Sequence, residues 1–314
     1  MLTMANNAAR IVVIGAGHVG STAAYALMLR ALVSEIVLID SNAALAEAEA
    51  ADIADANALA RPTRVWAGSY ADAATATIAV ITAGAATRGT ESRLSVLSRS
   101  GVIVGECVES LMHAGFAGII LVAANPVDLM AHVAFRKSGL TAPRVIGTGT
   151  LLDSSRLRQA LAAKLDVAPG ALSGIVLGEH GDSEVAAFST VRVGGLTLEQ
   201  FTKPGPLLDH DVIANDVRDA GYRIVSGKGY TSFGIATAVV RICEAIIRNE
   251  RAILPVSTLL TGEYGIDSVF LSLPCILGAG GVEHILEPEL SVEELSALHQ
   301  SAEVIRQAMA TLGA

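Results

Sequence analysis

Of the seven histidines in this chain, only His180 has neighbours that suit it for chemistry. It lies in Gly178-Glu179-His180-Gly181-Asp182, directly after the apolar run Ile175-Val176-Leu177, and the flanking glycines let the backbone place the ring at a strand end. An imidazole exchanges its proton near neutrality, and a carbonyl needs such a donor when hydride addition leaves charge on its oxygen. Asp153 and Arg156 are three positions apart, on one face of a predicted helix. The carboxylate can orient His180 and stabilise its protonated form. The guanidinium can grip a substrate carboxylate through two parallel hydrogen bonds, which a lysine does not reproduce. Alone, the Asp–Arg pair reads as a surface contact worth under ~1 kcal/mol; beside His180 it reads as part of a site.

A second constellation points to a dinucleotide. Gly15-Ala16-Gly17-His18-Val19-Gly20 follows the apolar Ile11-Val12-Val13-Ile14 and opens a predicted helix. In that setting Gly15 makes the tight turn, Gly17 lets the backbone approach a pyrophosphate, and Gly20 lets helix and strand pack closely. The helix N-terminus at His18 and Val19 offers free N–H groups and a positive dipole end. Asp40 ends the next strand, where a carboxylate accepts hydrogen bonds from a ribose diol and repels a 2′-phosphate, favouring NAD over NADP. Ala83 and Gly84 end a further strand and lead into Gly84-Ala85-Ala86-Thr87-Arg88-Gly89-Thr90-Glu91-Ser92-Arg93, a segment suited to a closing lid. Arg93, delivered by closure, can polarise the carbonyl. Asn125, held by Pro126 at another strand end, can bond the reacting oxygen and His180.

These side chains need a scaffold, and the first half supplies a regular one. Predicted strands at 10–14, 35–39, 64–67, 77–83, 118–123 and 144–146 alternate with helices at 19–29, 45–59 and 93–112 and after Pro126. Such alternation implies right-handed βαβ units and a parallel sheet covered on both faces. The second half reads as a helix at 151–165 capped by the Pro169-Gly170 turn, extended segments at 174–177 and 185–193, and a hairpin over 191–196. Helices around 212–225 and 232–248, a strand-rich block from 252 to 276, and a helix from Ser291 to Leu312 follow. Ser291 and Glu294 stand at capping-box spacing. The fold class is α/β: a Rossmann-type parallel sheet forming an NAD-binding domain over 1–148, then a mixed α+β substrate domain over 149–314.

Composition narrows the function further. The chain has 314 residues, 52% of them hydrophobic, yet no apolar stretch approaches the ~20 residues of a membrane span. Residues 1–10 lack the pattern of a signal peptide, so cytoplasm is the expected location. A net charge of −9 argues against nucleic acid and offers no general attraction for anions, so an acid substrate must be held by local cations. Cys107, Cys243 and Cys275 are far apart and fit reduced core residues better than disulfides or a metal site. No metal is expected.

With these residues in order, the chain resembles the L-lactate/malate dehydrogenase family over almost its whole length. The resemblance is carried by 14–20, 36–40, Asn125-Pro126-Val127-Asp128, Gly147-Thr148-Gly149-Thr150-Leu151-Leu152-Asp153, 178–182 and Lys228-Gly229-Tyr230-Thr231-Ser232. It implies NAD as cofactor, a small 2-oxo or 2-hydroxy acid as substrate, and a homodimer or homotetramer. It also implies His180 as proton donor and acceptor, Asp153 as its partner, Arg156 as carboxylate clamp, Arg93 as lid residue and Asn125 as orienter. Thr231 would lie beside the substrate side chain and Ile235 against the nicotinamide. Thr87 falls where lactate-type members carry Gln and malate-type members Arg, with Arg88 one residue beyond. Thr231 favours the lactate type. Malate, longer 2-hydroxy acids and a non-enzymatic NAD sensor are the alternatives. Arg158 matches one residue of the family's fructose 1,6-bisphosphate site, but Ser173 replaces the expected His, which argues against that activation.

Overall fold

The computed structural model describes residues 9–60, 62–85, 93–203 and 208–312, with the side chains of 93–95 and 312 outside the described set. The first half runs β1 (Arg10–Ile14), α1 (His18–Arg30), β2 (Glu35–Ile39), α2 (Ala43–Asn57), β3 (Arg64–Ala67), β4 (Ile78–Ile81), α3 (Arg93–His113), β5 (Ile119–Val122), α4 (Val127–Ser138) and β6 (Val145–Gly147). The second half runs α5 (Leu151–Leu165), β7 (Leu172–Leu177), β8 (Val185–Val193), β9 (Leu196–Thr197), α6 (Leu198–Thr202), α7 (His210–Lys228), α8 (Phe233–Ile247), β10 (Ala252–Thr261), β11 (Asp267–Gly278), β12 (Gly281–Ile285) and α9 (Val292–Leu312).

Strands β3-β2-β1-β4-β5-β6 pair in parallel in that order, so the strand order reverses between β1 and β4. Their residues feed two cores by alternation. Val12, Ile14, Val37, Ile81, Ile120 and Val122 face a layer built by α3, α4 and α9. Ile11, Val13, Ile36, Leu38, Val80 and Leu121 face α1, α2 and α8. Burial on both faces explains why these strands read as unbroken apolar runs.

The sheet does not stop at the change of pattern near residue 148. β10 pairs antiparallel with β6 through Ser257 and Gly147, and β11 and β12 extend the sheet to nine strands. β12 was not anticipated from the sequence. A separate three-stranded antiparallel sheet, β7-β8-β9, packs against α5 and α7 through Leu157, Leu161, Val176, Val191, Ile213 and Val217. One cap differs from expectation. α5 ends at Asp166, which takes the left-handed conformation at φ 52°, while Pro169–Ala171 form a separate 3-10 turn before β7. The capping box at the start of α9 matches its spacing: Ser291 N–H donates to Glu294 Oε2 at 2.9 Å and Glu294 N–H to Ser291 Oγ at 3.2 Å.

No helix among the described residues is long and apolar enough to cross a membrane. The three cysteines are free and buried. The Asn125-Pro126 peptide bond is cis.

Candidate active site

The glycine loop sits at the carboxyl edge of β1, beside the reversal of strand order where doubly wound sheets bind ligands. Gly15 has φ +104°, and a Cβ there would come within 2.7 Å of Ala83 N and Thr82 Oγ1. A Cβ at Gly20 would overlap the Gly15 carbonyl, so only glycine lets α1 start this close to the strand. Gly17 has open space around it, leaving its backbone approachable by a phosphate. Asp40, at the end of β2, accepts hydrogen bonds from Ala16 N–H at 2.7 Å and Asn42 N–H at 2.8 Å, so its carboxylate is tied to the glycine loop. Ala83 N–H donates to Ile14 O, placing the start of the Gly84 segment against the same loop. Turn, helix start and carboxylate therefore fit a dinucleotide. His18 does more than open α1: its ring stacks on Tyr230 at 3.8 Å with planes 12° apart, and Lys228 Nζ lies 4.4 Å from the Tyr230 ring centre.

The chemical residues converge farther along this edge. His180 Nδ1 lies 2.6 Å from Asp153 Oδ2, and Arg156 Nη1 donates to Asp153 Oδ1 at 2.8 Å. The Asp153 side chain is 2% exposed, the His180 side chain 24%. Because the carboxylate accepts, Nδ1 carries its hydrogen and Nε2 is left to exchange a proton with a substrate. Burial alone would lower the His180 pKa; Asp153 overrides it, with help from Asp128 and Glu184, and pushes it up to about 9. Burial likewise opposes ionisation of Asp153, but His180 and Arg156 hold its carboxyl below the usual range.

Neighbouring elements hold the His180 loop by hydrogen bonds. Gly178 exchanges two backbone bonds of 3.0 Å with Ser272 on β11. Glu179 N–H donates to Ser301 Oγ on α9 at 2.8 Å, and His180 N–H to Asp128 Oδ2 on α4 at 2.8 Å. α5 is stitched to β7 by Thr150 Oγ1 donating to Val176 O at 2.6 Å and Val176 N–H donating to Ser154 Oγ at 2.8 Å. The ring and its carboxylate thus hang from five elements, a placement rigid enough for proton transfer.

A cleft of about 300 Å³ opens onto this pair. Val19, Asn125, Asp153, Arg156, His180, Thr231 and Ile235 all line it, so the sequence-predicted proton-transfer residue, carboxylate clamp, amide and apolar wall come together. Arg93 starts α3, but its side chain lies outside the described residues, as do Thr87 and Arg88. Arg158 and Ser173 line two different grooves. Sequence reasoning missed Asp128, Glu184, Arg218 and Tyr222. Asp128 is buried, and burial pushes its carboxyl up to about 6. Glu184, Arg218 and Tyr222 share the cleft, and Tyr222 Oη donates to Asp182 Oδ1 at 2.9 Å, closing α7 over the loop. An acid two residues after Pro126, and another four residues after His180, were the only sequence signals.

This fold, with a carboxylate-supported imidazole lining its cleft, defines an NAD-dependent oxidoreductase. The chain belongs to the lactate/malate dehydrogenase family: the family's NAD binding domain matches residues 9–147 and its alpha/beta C-terminal domain residues 150–314. It is 42% identical over 308 residues to the L-lactate dehydrogenase of Thermus aquaticus, covering 97% of this chain and 99% of that one. It is also 42% identical over 302 residues to the L-lactate dehydrogenase of Priestia megaterium, covering 95% of each. The ligand-bound crystal structure of the minor L-lactate dehydrogenase from Enterococcus mundtii superposes with a TM-score of 0.95 at 38% identity, covering 98% of this chain and 99% of that one.

Proposed function

We propose that this enzyme is an L-lactate dehydrogenase, interconverting pyruvate and L-lactate, with 1–148 as the NAD-binding domain and 149–314 as the substrate domain. The observation that carries the reading is the shared Asp153 carboxylate, bonded on one oxygen to His180 and on the other to Arg156 within one cleft. The relatives named L-lactate dehydrogenase support pyruvate as the substrate.

NADH, when bound, supplies the hydride; the glycine loop, Asp40, Val19 and Ile235 are the residues that would hold it. Arg156 receives the substrate carboxylate with N–H groups not engaged by Asp153. Protonated His180 gives the Nε2 proton to the carbonyl oxygen as charge develops there, and takes it back in the reverse direction. Asp153 stays ionised throughout, fixing the ring and stabilising the imidazolium. Asn125 orients the oxygen, Thr231 borders the substrate methyl group, and Arg93, with Thr87 and Arg88, acts from the lid. Thr87 gives a second substrate carboxylate no cationic partner, and leaving one unpaired costs several kcal/mol, so pyruvate is preferred to oxaloacetate unless Arg88 swings in to supply the charge.

We further infer a cytoplasmic homodimer or homotetramer, in keeping with the free buried cysteines and with Leu29 and Phe233, 49% and 70% exposed. The test is loss of NADH absorbance with pyruvate, oxaloacetate and 2-oxoisocaproate in turn. Pyruvate is expected to give the highest kcat/KM. Preference for either other acid would move the assignment to that acid, and no oxidation with any of them would favour an NAD sensor.

A further inference from the structure

Glu184 is a cleft carboxylate that neither holds the substrate nor exchanges the proton in the reaction as described so far. It precedes β8, four residues beyond His180, and is 8% exposed. One of its carboxylate oxygens, a ring nitrogen of His180 and an oxygen of Asp153 all lie within 4.8 Å of one another. Its Oε1 is buried with no hydrogen-bond partner among the described residues. Across the same cleft, Arg218 on α7 donates from Nη1 to Asn215 Oδ1 at 3.1 Å, while its Nε is buried without a partner among the described residues.

We propose that Glu184 is a positioning residue for proton transfer at His180: ionisation of its carboxyl beside the imidazole keeps the proton on His180 into the alkaline range. The inference rests on His180 being the proton donor.

The charges around the ring fix the sign. Asp153 and Arg156 lie beside it on α5, Asp128 on α4, Arg218 on α7, and Asp182 and Glu184 in its own loop, where the Glu179 carboxylate accepts from Ser183 Oγ instead. Asp153 is ionised and already committed to His180 and Arg156. Glu184 Oε1 has no such bond among the described residues, and a buried carboxylate short of hydrogen bonds favours its neutral form. Burial first, and then the negative charge of Asp153, push it up to about 8, while His180, Arg218 and Arg156 pull the other way. As pH rises, ionisation of Glu184 therefore adds a negative charge to the same cleft as the imidazole. The new negative charge stabilises the imidazolium, delaying the loss of the proton on which reduction depends. Without that carboxyl, His180 would lose its proton at lower pH.

The test is the pH dependence of kcat/KM for pyruvate reduction in wild type, Glu184→Gln and Glu184→Asp. The descending limb of Glu184→Gln is expected to move down by about one pH unit, while Glu184→Asp, which keeps a carboxyl, stays nearer wild type. A Glu184→Gln limb that coincides with wild type overturns the proposal. Infrared titration of the wild-type protein gives a readout free of turnover and of variant folding. A buried carboxylic-acid band is expected to vanish as pH passes through about 8, and the lack of any such band also overturns it. His180→Asn separates this proposal from the reading beneath it. Wild-type turnover in His180→Asn removes His180 as donor; an inactive His180→Asn together with an unshifted Glu184→Gln limb removes Glu184 alone.

Discussion

Asp153 on α5 and His180 in the loop after β7 meet at 2.6 Å because Thr150 and Ser154 bind the helix directly to the strand that carries the loop. With the partner oxygen of Asp153 taken by Arg156, one carboxylate fixes both the His180 ring and the Arg156 guanidinium.

Asp153→Asn should therefore impair two functions at once. Loss of the charge removes the main support of the imidazolium, so the His180 pKa should fall from about 9. Turnover in the reducing direction should drop by about 10²- to 10⁴-fold, the usual worth of a placed acid–base group. A kcat within a few fold of wild type would contradict that dependence.

The sign of the pH dependence follows from the same shift. With His180 as the proposed donor, reduction needs the protonated ring, so its rate should fall as pH rises through about 9. Oxidation of the hydroxy acid needs the neutral ring, so its rate should climb over the same interval. Parallel profiles in the two directions would rule out His180 as the group exchanging the proton.

Arg156→Lys keeps the charge but loses the planar fork. Charged hydrogen bonds contribute ~1.5–3 kcal/mol each, so KM for pyruvate should rise by about ten- to a hundred-fold. NADH affinity, measured by fluorescence titration, is the control and should change little. An unchanged KM would remove Arg156 as the clamp.

Cofactor choice should depend on Asp40. Asp40→Ser removes the carboxylate that repels a 2′-phosphate and also the acceptor for Ala16 N–H. NADH should bind more weakly and the NADH/NADPH preference should shrink by about ten-fold or more. A preference that stays put would locate the selectivity elsewhere.

Gly178 supplies a stability test close to the chemistry. Its φ is +87°, and a Cβ at this position would come within 2.7 Å of Ser301 Oγ, so a side chain has no room. Gly178→Ala should cost about 1–2 kcal/mol or more, seen as a lower Tm, and slow turnover by displacing His180. A Tm equal to wild type would mean that the loop tolerates the change.

The sequence revealed those parts of the molecule whose signals are local. Runs such as Ile11-Val12-Val13-Ile14 are apolar throughout because both faces are covered, and Asp153 and Arg156 share a face because helical spacing requires it. Features that arise when distant segments meet were not legible. The pairing of β6 with β10 through Gly147 and Ser257 has no periodic signature, and β12 is too short and polar to read as a strand. Nothing near His18 announces Tyr230, and Arg218 enters the cleft only because α7 folds over the His180 loop. The Pro169-Gly170 cap failed because Asp166 adopts a left-handed conformation of its own, which the composition around it does not require.

The most direct test of this mechanism is a single turnover of the preformed enzyme–NADH complex mixed with pyruvate, followed by NADH absorbance and by a pH indicator. The wild-type protein should consume one equivalent of NADH and take up one proton in the same phase. His180→Asn should bind NADH yet oxidise it at least about 10²-fold more slowly. NADH oxidation by His180→Asn at the wild-type rate would contradict the central claim that this imidazole, held by Asp153, delivers the proton.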